Sequence, residues 1–382
     1  MTVTSIKACP VRIPLARPDI TDLERDAVMR VLNTATLSLG PELPAFEAEL
    51  ARCAGVRHAM AVNSGTSALH LAMIALGIGP GDEVVTTPFS FIASSNCILF
   101  TGARPVFADI DPVTLCLDPE QAARRITPRT KAILAVDVFG HPANWDALRS
   151  LAREHGLLLV EDSAEAIGAS YRGRPAGGFG DAAIFAFYPN KQITTGEGGA
   201  LLTNDDDVAG MAQSLRSQGR AAGGGWLHHE RLGYNFRISD INCALGRAQL
   251  SRLPELLAKR DRVARRYTSL LSAVEDVQPP QVASDVSISW FVYVVRLASG
   301  YTKTQRDRVL MLMRERGIQC GNYFPGIHLE PFYREQFGFE EGNFPVTEDV
   351  ASRTIALPFF GDMTDAEVKE VVGALKGALA AV

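Results

Sequence analysis

The chain lacks the marks of secreted, disulfide-stabilised and zinc-binding proteins. It has 382 residues and six cysteines, with no CxxC pair and no metal-ligand spacing among them. Scattered cysteines favour free thiols in a reducing cytoplasm over a disulfide framework or a bound metal. They stand at Cys9, Cys53, Cys97, Cys116, Cys243 and Cys320. The N-terminus also lacks a basic stretch followed by an apolar core, so we predict no secretory signal.

Long hydrophobic runs and a large net charge are also missing. No apolar run approaches the roughly 20 residues of a membrane-spanning helix, so we expect no membrane partner. The formal net charge is −5, which argues against bulk binding to nucleic acid and means that local groups would have to meet an anionic ligand. The composition, with 47% hydrophobic and 21% charged residues, is that of a soluble enzyme with a sizeable core. The length indicates about two domains.

Short apolar segments alternate with helical patterns over the first 250 residues. The predicted strands lie at 58–62, 83–87, 104–108, 132–138, 157–161, 182–187 and 199–203. Most are joined by segments of helical periodicity, such as 66–76, 145–155 and 208–216. Residues 157–160 are apolar at consecutive positions, which is typical of a strand covered on both faces. We therefore predict a large α/β domain at 1–250, with a mostly parallel sheet between helices.

The pattern changes towards the C-terminus. Two long helices are predicted at 239–253 and 254–271, followed by a loop rich in proline and serine at 278–289. A strand at 289–297 and helices at 304–316 and 364–380 complete a smaller α+β domain at 251–382. Before the first strand, Thr21 and Glu24 have the spacing of a capping box for a helix through about residue 32. A second helix at 44–53 is predicted to end at Gly55.

The first candidate binding feature is the segment 63–67, which follows a predicted strand and opens a helix. The free backbone N–H groups and the positive dipole of a helix N-terminus suit a phosphate. Gly65 would allow close approach, and Thr66 and Ser67 add hydroxyl donors. Taken alone, this pattern is explained better by an ordinary N-cap without a ligand.

Two further features follow at the ends of other predicted strands. Phe91 could stack on a flat ring, or it could be a core phenylalanine. Asp162 lies at the C-terminal end of the apolar strand, where ligands bind in open α/β sheets. A carboxylate here could keep a pyridine nitrogen protonated, so that the ring accepts electrons. The alternative for Asp162 is a helix cap or a solvated side chain.

The fourth feature is Lys191, which comes after an apolar strand and before a stretch rich in threonine and glycine. A loop lysine is usually solvated, but one held beside a strand end can attack a carbonyl. A phosphate cradle, a stacking aromatic ring, a carboxylate for a ring nitrogen and a reactive amine are what pyridoxal phosphate requires. Here they occur in this order at successive strand ends.

With these motifs, the sequence resembles the DegT/StrS-type sugar aminotransferases, a family of fold type I pyridoxal-phosphate enzymes. The resemblance runs from about residue 14 to the C-terminus. It rests on FYPNKQITTGEGG at 187–199, NSGTSAL at 63–69, EDSAEAIGA at 161–169, GYNFRISD at 233–240 and GIQCGNYFPGIH at 317–328. It implies the fold type I architecture, pyridoxal phosphate as cofactor with a pyridoxamine phosphate form, and a homodimer with active sites at the subunit interface.

The resemblance also implies roles for individual residues. Lys191 matches the lysine that binds the cofactor covalently, and Asp162 the acid that faces the ring nitrogen. The remaining cofactor contacts match the phosphate-binding turn, the stacked aromatic ring, a position near the ring hydroxyl and an asparagine that reaches the partner subunit's cofactor phosphate; they are Gly65, Thr66, Ser67, Phe91, Glu165 and Asn235.

Two positions depart from the family pattern. Many members have a serine that contacts the phosphate five residues before the lysine; here Ala186 stands there, and Asn190 is a candidate to replace the contact. Glu165 is acidic where glutamine or histidine is common, and a carboxylate beside a phenolate-like oxygen would favour holding a proton. The dehydratase branch of the family has histidine in place of the lysine, so Lys191 favours amino transfer.

The expected function is transfer of an amino group from L-glutamate to a nucleotide-linked 4-keto-6-deoxyhexose in amino-sugar biosynthesis. The motifs look most like those of perosamine synthases. Candidate substrate contacts are Arg237, Tyr323 and His328. The alternative for His328 is an ordinary loop histidine, and the alternative for Arg237 is an arginine that braces the dimer. The alternative functions are amino transfer to a keto-cyclitol or a 3-keto sugar, and a non-catalytic regulatory protein that binds the cofactor. A dehydrogenase is disfavoured because the glycine-rich segment 77–81 does not fit the dinucleotide fingerprint.

Overall fold

The computed structural model of the protein describes residues 10–221, 223 and 227–382. The prediction of a free thiol at Cys9 lies outside the described residues, whereas the other five cysteines are free, as predicted. Within the described part of the chain, no helix is both long and apolar enough to cross a membrane.

Strands and helices alternate along the chain. The described residues form the strands β1 (His58–Val62), β2 (Glu83–Thr86), β3 (Arg104–Phe107), β4 (Thr130–Val136), β5 (Leu158–Asp162), β6 (Ser170–Tyr171), β7 (Arg174–Pro175), β8 (Ala182–Ala186), β9 (Gly199–Thr203), β10 (Val277–Gln278), β11 (Val286–Ser287), β12 (Tyr293–Leu297) and β13 (Thr354–Leu357). The helices are α1 (Asp22–Leu32), α2 (Glu42–Ala54), α3 (Gly65–Ala75), α4 (Ala93–Phe100), α5 (Pro119–Ala123), α6 (Trp145–His155), α7 (Asp206–Arg216), α8 (Asp240–Ser251), α9 (Leu253–Leu271), α10 (Lys303–Glu315), α11 (Pro331–Phe337), α12 (Pro345–Arg353) and α13 (Asp365–Leu379).

The main sheet has seven strands in the order β1-β9-β8-β5-β4-β2-β3. Only β9 runs antiparallel to its neighbours; the other pairs in the sheet are parallel. The predicted mostly parallel sheet is therefore confirmed. Because the parallel strands point the same way, their carboxyl ends meet at one edge, and Asp162 is the last residue of β5.

Alternate side chains of the main sheet enter two different hydrophobic cores. Along β8, Ala182 and Ile184 belong to one core, and Ala183 and Phe185 belong to the other. Along β9, Leu201 and Leu202 divide in the same way. Helices cover the sheet on both faces, which is why its strands are apolar at consecutive positions.

Local signals begin and end several helices where the sequence predicts it. The Thr21 hydroxyl accepts a hydrogen bond from the Leu23 amide, and Glu24 completes the capping box of α1 by accepting from the Thr21 amide. Helix α2 ends at Gly55, which adopts the left-handed conformation with φ 67° that costs glycine little. Helix α6 spans the predicted residues, and its N-cap Asn144 accepts from the Ala147 amide.

The C-terminal region is built on a smaller antiparallel sheet, β10-β12-β13. Helices α9, α10 and α13 share its core, which includes the stacked rings of Tyr267 and Tyr293 at 4.9 Å. This is the predicted α+β arrangement; the predicted domain boundary near residue 250 stays a prediction. The α11, α12 and β13 elements were not foreseen.

Two predicted boundaries in this region are wrong. The predicted loop at 278–289 contains β11, which pairs with β6 and so joins the main-sheet part of the chain. The predicted strand at 289–297 begins only at Tyr293, because the carbonyl oxygens of Ser289 and Phe291 accept hydrogen bonds from the side chains of Gln192 and Arg260 instead of from a neighbouring strand.

Asp109, just after β3, fixes the start of α12. Helix α12 has no side-chain cap from its own N-cap residue. Instead the buried Asp109 carboxylate accepts hydrogen bonds from the amides of Val346 and Thr347, at 2.9 and 2.8 Å, and from the Thr347 hydroxyl at 2.7 Å. A carboxylate at a helix N-terminus satisfies free N–H groups and faces the positive end of the dipole. This contact joins the main sheet to the C-terminal region.

We predict that Asp109→Ala lowers the free energy of unfolding by about 2 to 3 kcal/mol, because it leaves buried donors without acceptors. Asp205→Ala is the matched control, since Asp205 caps the exposed start of α7; its cost should be nearer to about 1 kcal/mol. Chemical denaturation of both variants measures the difference. Equal losses would show that the Asp109 contact is only an ordinary helix cap.

Candidate active site

Asp162 presents a buried carboxylate at the carboxyl edge of the main sheet. Its Oδ2 accepts a hydrogen bond of 2.6 Å from the Ser94 hydroxyl, and its Oδ1 accepts one of 3.2 Å from the Ala164 amide. Burial raises the pKa of Asp162, although these hydrogen bonds and the charge of Lys191 lower it in part. A buried carboxylate of this kind is stabilised by a cationic N–H donor.

Lys191 lies in the turn that follows β8, and its side chain is 13% exposed. The Lys191 amide donates to the Tyr188 carbonyl oxygen at 2.9 Å, which tightens the turn. Its Nζ lies 3.5 Å from Glu165 Oε1 and 3.9 Å from the centre of the Phe291 ring. The amine is thus held between a carboxylate and an aromatic face, not directed into solvent.

Glu165 is the second buried carboxylate at this edge. Its Oε2 accepts a hydrogen bond of 2.9 Å from the Phe139 amide, and its Oε1 faces the Lys191 amine at 3.5 Å. Burial raises the pKa of Glu165, and the charge of Asp162 raises it further, whereas the charge of Lys191 lowers it. The charge of one amine therefore lowers the pKa of both carboxylates, while burial raises the pKa of both.

The start of α3 forms a close-packed turn against the ends of β8 and β9. A Cβ added at Gly65 would lie 2.7 Å from the Ala186 Cβ, and one added at Gly199 would lie 2.6 Å from the Gly65 nitrogen. Only glycine fits at these two positions. Ala186, at the family's serine position, therefore does line the predicted phosphate-binding turn.

Hydroxyl groups in this turn have different partners. Ser64 is the N-cap, and its hydroxyl accepts from the Ser67 amide at 3.0 Å. The Ser67 hydroxyl donates to Asn63 Oδ1 at 2.7 Å, so it serves the turn itself. The first amides of a helix have no intrahelical acceptor, which leaves the N–H groups of Gly65 and Thr66 available to an anion. The phosphate-binding roles of Thr66 and Ser67 stay predictions.

Phe91 and Asn235 are both exposed. Phe91 is 60% exposed, whereas its neighbour Phe89 is fully buried, so the alternative of a core phenylalanine at position 91 is excluded. Asn235 lies in the stretch that runs along β1, where Arg237 bridges to Val62. A ring that stacks on a ligand and a side chain that reaches a second subunit both have to be accessible; these two roles stay predictions.

Asn190 has one satisfied and one unsatisfied side-chain atom. It forms a side-chain hydrogen bond with Tyr323, while its buried Oδ1 has no partner among the described residues. An acceptor oxygen cannot bind an anionic phosphate, so this geometry gives no support to the prediction that Asn190 replaces the missing serine. A donor from a bound ligand would satisfy it.

The three predicted substrate contacts lie in different surroundings. Burial raises the pKa of Tyr323, and the charge of Glu165 raises it further, which places Tyr323 beside the Lys191 cluster. Arg237 donates to Gln218 Oε1 at 2.7 Å; burial and the charges of two other arginines lower its pKa. The roles of these two residues as substrate contacts stay predictions.

His328 is enclosed instead. Its side chain is 0% exposed, Nε2 lies 3.1 Å from Glu348 Oε1, and the ring packs edge-on against Phe344 at 4.8 Å. Burial lowers the pKa of His328, although Glu348 raises it in part. A direct contact between this ring and a substrate would require the packing to open, so its predicted role has no support from this geometry.

Sequence reasoning missed several residues of the site. Ser94 donates to Asp162, and Phe291 supplies the ring below Lys191. Arg260 donates to the Lys191 carbonyl oxygen at 2.8 Å. Ser94 follows Phe91 closely enough to have been suspected, but Phe291 and Arg260 are in the C-terminal region and carry no motif. No cluster of three or more histidine, cysteine, aspartate or glutamate side chains within the described residues is placed to hold a metal ion.

The residues present fit pyridoxal phosphate. Asp162 offers a buried acid for a cationic ring nitrogen, Lys191 an enclosed amine, and the glycine-lined start of α3 free amides for a phosphate. The buried, unsatisfied oxygen of Asn190 further indicates a missing polar partner. The three groups come from three strand ends of one sheet edge.

Comparisons with known proteins agree with this interpretation. The model of the DegT/DnrJ/EryC1/StrS aminotransferase family matches residues 18–376. A GDP-perosamine synthase from Caulobacter vibrioides is 40% identical over 366 residues, covering 95% of this chain and 97% of the relative. The solved structure of DesV from S. venezuelae is 36% identical with a TM-score of 0.89, covering 97% and 99% of the two chains. A putative sugar aminotransferase from Streptococcus pneumoniae, solved in its PLP-form, is 28% identical with a TM-score of 0.92, covering 97% and 99%.

These likenesses confirm the predicted fold class over nearly the whole chain. The family match, with relatives solved in PLP and PMP forms, confirms the predicted cofactor, pyridoxal phosphate. The predicted resemblance is confirmed as well.

We predict that Asp162→Asn raises the thermal midpoint of the cofactor-free protein at neutral pH, because it removes a buried charge whose pKa is raised. The wild-type carboxylate is penalised above its raised pKa and relieved as the pH falls through that pKa. The difference between variant and wild type should therefore shrink on acidification. Added pyridoxal phosphate should stabilise the wild type more than the variant. A variant that is less stable at every pH would contradict this account.

Proposed function

The chain belongs to the DegT/DnrJ/EryC1/StrS aminotransferase family, and from this premise we propose that it transfers an amino group from L-glutamate to a nucleotide-linked 4-keto-6-deoxyhexose in amino-sugar biosynthesis. The observation that carries the proposal is the enclosed Lys191 amine, 3.5 Å from Glu165 and at the same sheet edge as Asp162. The 40% sequence identity between this chain and a GDP-perosamine synthase supports the proposed class of substrate.

Asp162 would hold the pyridine nitrogen of the cofactor in its protonated form. When bound, pyridoxal phosphate supplies an electron-accepting ring and a carbonyl group that carries the amino group between substrates. The hydrogen bonds from Ser94 and Ala164 orient the carboxylate, and a cationic N–H opposite it would offset the cost of its burial. The start of α3, with Gly65, Thr66 and Ser67, would bind the phosphate, and Phe91 would stack on the ring.

Lys191 would bind the cofactor covalently and move the proton. Its Nζ takes the proton from the α-carbon of the amino donor and, over the full cycle, delivers one to the sugar carbon that receives the amino group. Glu165, whose pKa is raised by burial, would hold a proton beside the ring hydroxyl. Tyr323 and Arg237 would contact the sugar and its diphosphate; His328 belongs to this set only if its enclosure opens.

The proposed working form is a cytoplasmic homodimer with active sites at the subunit interface. In this form, Asn235 of one subunit would reach the cofactor phosphate of the other, which is consistent with its exposure in the single chain. A large domain at 1–250 would bind the cofactor, and a smaller domain at 251–382 would complete the substrate cleft.

Lys191→Ala tests the cofactor lysine. We expect it to lower amino transfer by more than about 100-fold, since a positioned acid–base group typically contributes at least that much. It should also remove the visible absorbance of the cofactor bound to lysine. Lys303→Ala, at the exposed start of α10, should leave both unchanged. Wild-type turnover in the Lys191 variant would refute the proposed role.

A panel of ketones tests the substrate class. The enzyme is loaded with pyridoxamine phosphate and offered GDP-, dTDP- and UDP-linked 4-keto-6-deoxyhexoses, a nucleotide-linked 3-keto sugar and a keto-cyclitol. We expect a 4-keto sugar nucleotide to restore the aldehyde spectrum fastest, and free glutamate to reverse the change. Recovery only with the cyclitol or the 3-keto sugar would replace the proposed substrate and keep the chemistry.

A further inference from the structure

The segment Ser289–Phe291, here called the strap, runs beside Lys191 and Gln192 just before β12. The Ser289 amide donates to the Gly140 carbonyl oxygen at 3.0 Å, and its hydroxyl donates to the Ile167 carbonyl oxygen at 2.6 Å. Gln192, the neighbour of Lys191, donates from its side chain to the Ser289 carbonyl oxygen at 2.8 Å. The strap is thus fixed to the main-sheet part of the chain before β12 begins.

Arg260 of α9 joins the strap to Lys191. One side of its guanidinium donates to the Lys191 carbonyl oxygen at 2.8 Å, and the other donates to the carbonyl oxygens of Phe291 and Trp290 at 3.1 and 3.3 Å. The residue is 5% exposed. Burial lowers the pKa of Arg260 to about 10, so the group is still cationic at neutral pH.

We propose that Arg260 is a positioning residue for Lys191. By holding the Lys191 backbone in register with the strap, it keeps the Phe291 ring 3.9 Å from Nζ and Nζ within reach of Glu165. A guanidinium has five N–H donors in a fixed plane, so two of its nitrogens can bind carbonyl oxygens of separate segments at once, whereas an ammonium group has three donors on one atom at the end of a flexible chain. The inference rests on the proposed role of Lys191.

A buried arginine can also be a purely structural tie, and the chain provides one for comparison. Arg306 of α10 is 1% exposed and donates to the carbonyl oxygens of Ala351 and Thr354 at 2.9 and 3.1 Å. Its partners all lie in the C-terminal region, away from Lys191. Arg306→Met is therefore a control for Arg260→Met that matches it in burial and in the loss of bonds to backbone carbonyl oxygens; it also removes an ion pair with Asp307 at 2.7 Å, which adds to the stability lost.

The experiment compares the two variants in the full chain. Hydrogen exchange of the amides of Tyr188 and of residues 190–192 is measured in the cofactor-free protein, and the dissociation constant of pyridoxal phosphate is measured by absorbance titration. We expect Arg260→Met to speed exchange in this segment and to weaken cofactor binding about tenfold, the effect of losing one or two hydrogen bonds from a charged group. Arg306→Met should lower thermal stability without changing either quantity.

The proposal is overturned if both variants weaken cofactor binding equally, or if Arg260→Met alters the exchange but not the dissociation constant. Should Arg260→Met not fold, Arg260→Lys keeps the charge and most of the volume; it should weaken cofactor binding measurably, and wild-type affinity in it would refute the need for a guanidinium. Failure of the proposed function is detected separately, because Lys191→Ala would then retain turnover whatever Arg260 does.

Discussion

The site depends on two carboxylates and one amine that are held together out of water at the carboxyl edge of a parallel sheet. Burial disfavours the charged forms of Asp162 and Glu165, and the nearby Lys191 charge offsets this only in part. Because the cost of burying these carboxylates is offset only in part, the cluster favours a cationic group from a ligand or the uptake of a proton. The sheet provides the rigidity that such a cluster needs, because these residues stand at or beside strand ends whose hydrogen bonds are satisfied by neighbouring strands.

The elements that the sequence predicts best are those whose signals are local. The capping box at Thr21, the glycine that ends α2 and the limits of α6 are encoded within a few residues. The motifs that carry Asp162 and Lys191 are equally compact, since each follows one apolar strand. Order along the chain then becomes proximity in space, because parallel strands bring their carboxyl ends together.

Elements whose cause lies far away in sequence were not predictable in this way. Helix α12 begins where Asp109 accepts its first amides, and β12 begins late because Gln192 and Arg260 bind the carbonyl oxygens of the strap. Arg260 and Phe291 complete the surroundings of Lys191 without any pattern around them in the sequence. His328, a polar residue in a family-like motif, is enclosed by Glu348 and Phe344, which its own segment does not indicate; its role as a substrate contact stays a prediction.

The position of β9 has a consequence for how the chain assembles during synthesis. Strand β1 is the last strand of the sheet and pairs with β9, whose register joins Val62 to Gly199; on its other side, Val62 forms a single bridge to Arg237. Until the ribosome has made the residues of β9, the apolar β1 has no partner strand in the sheet. The start of α3 also lacks its contact with Gly199. Such a late, non-local closure slows folding and exposes an unpaired edge to other nascent chains. The insertion of β9, which places Gly199 against the start of α3, therefore makes the completion of this part of the sheet a late, non-local step of folding.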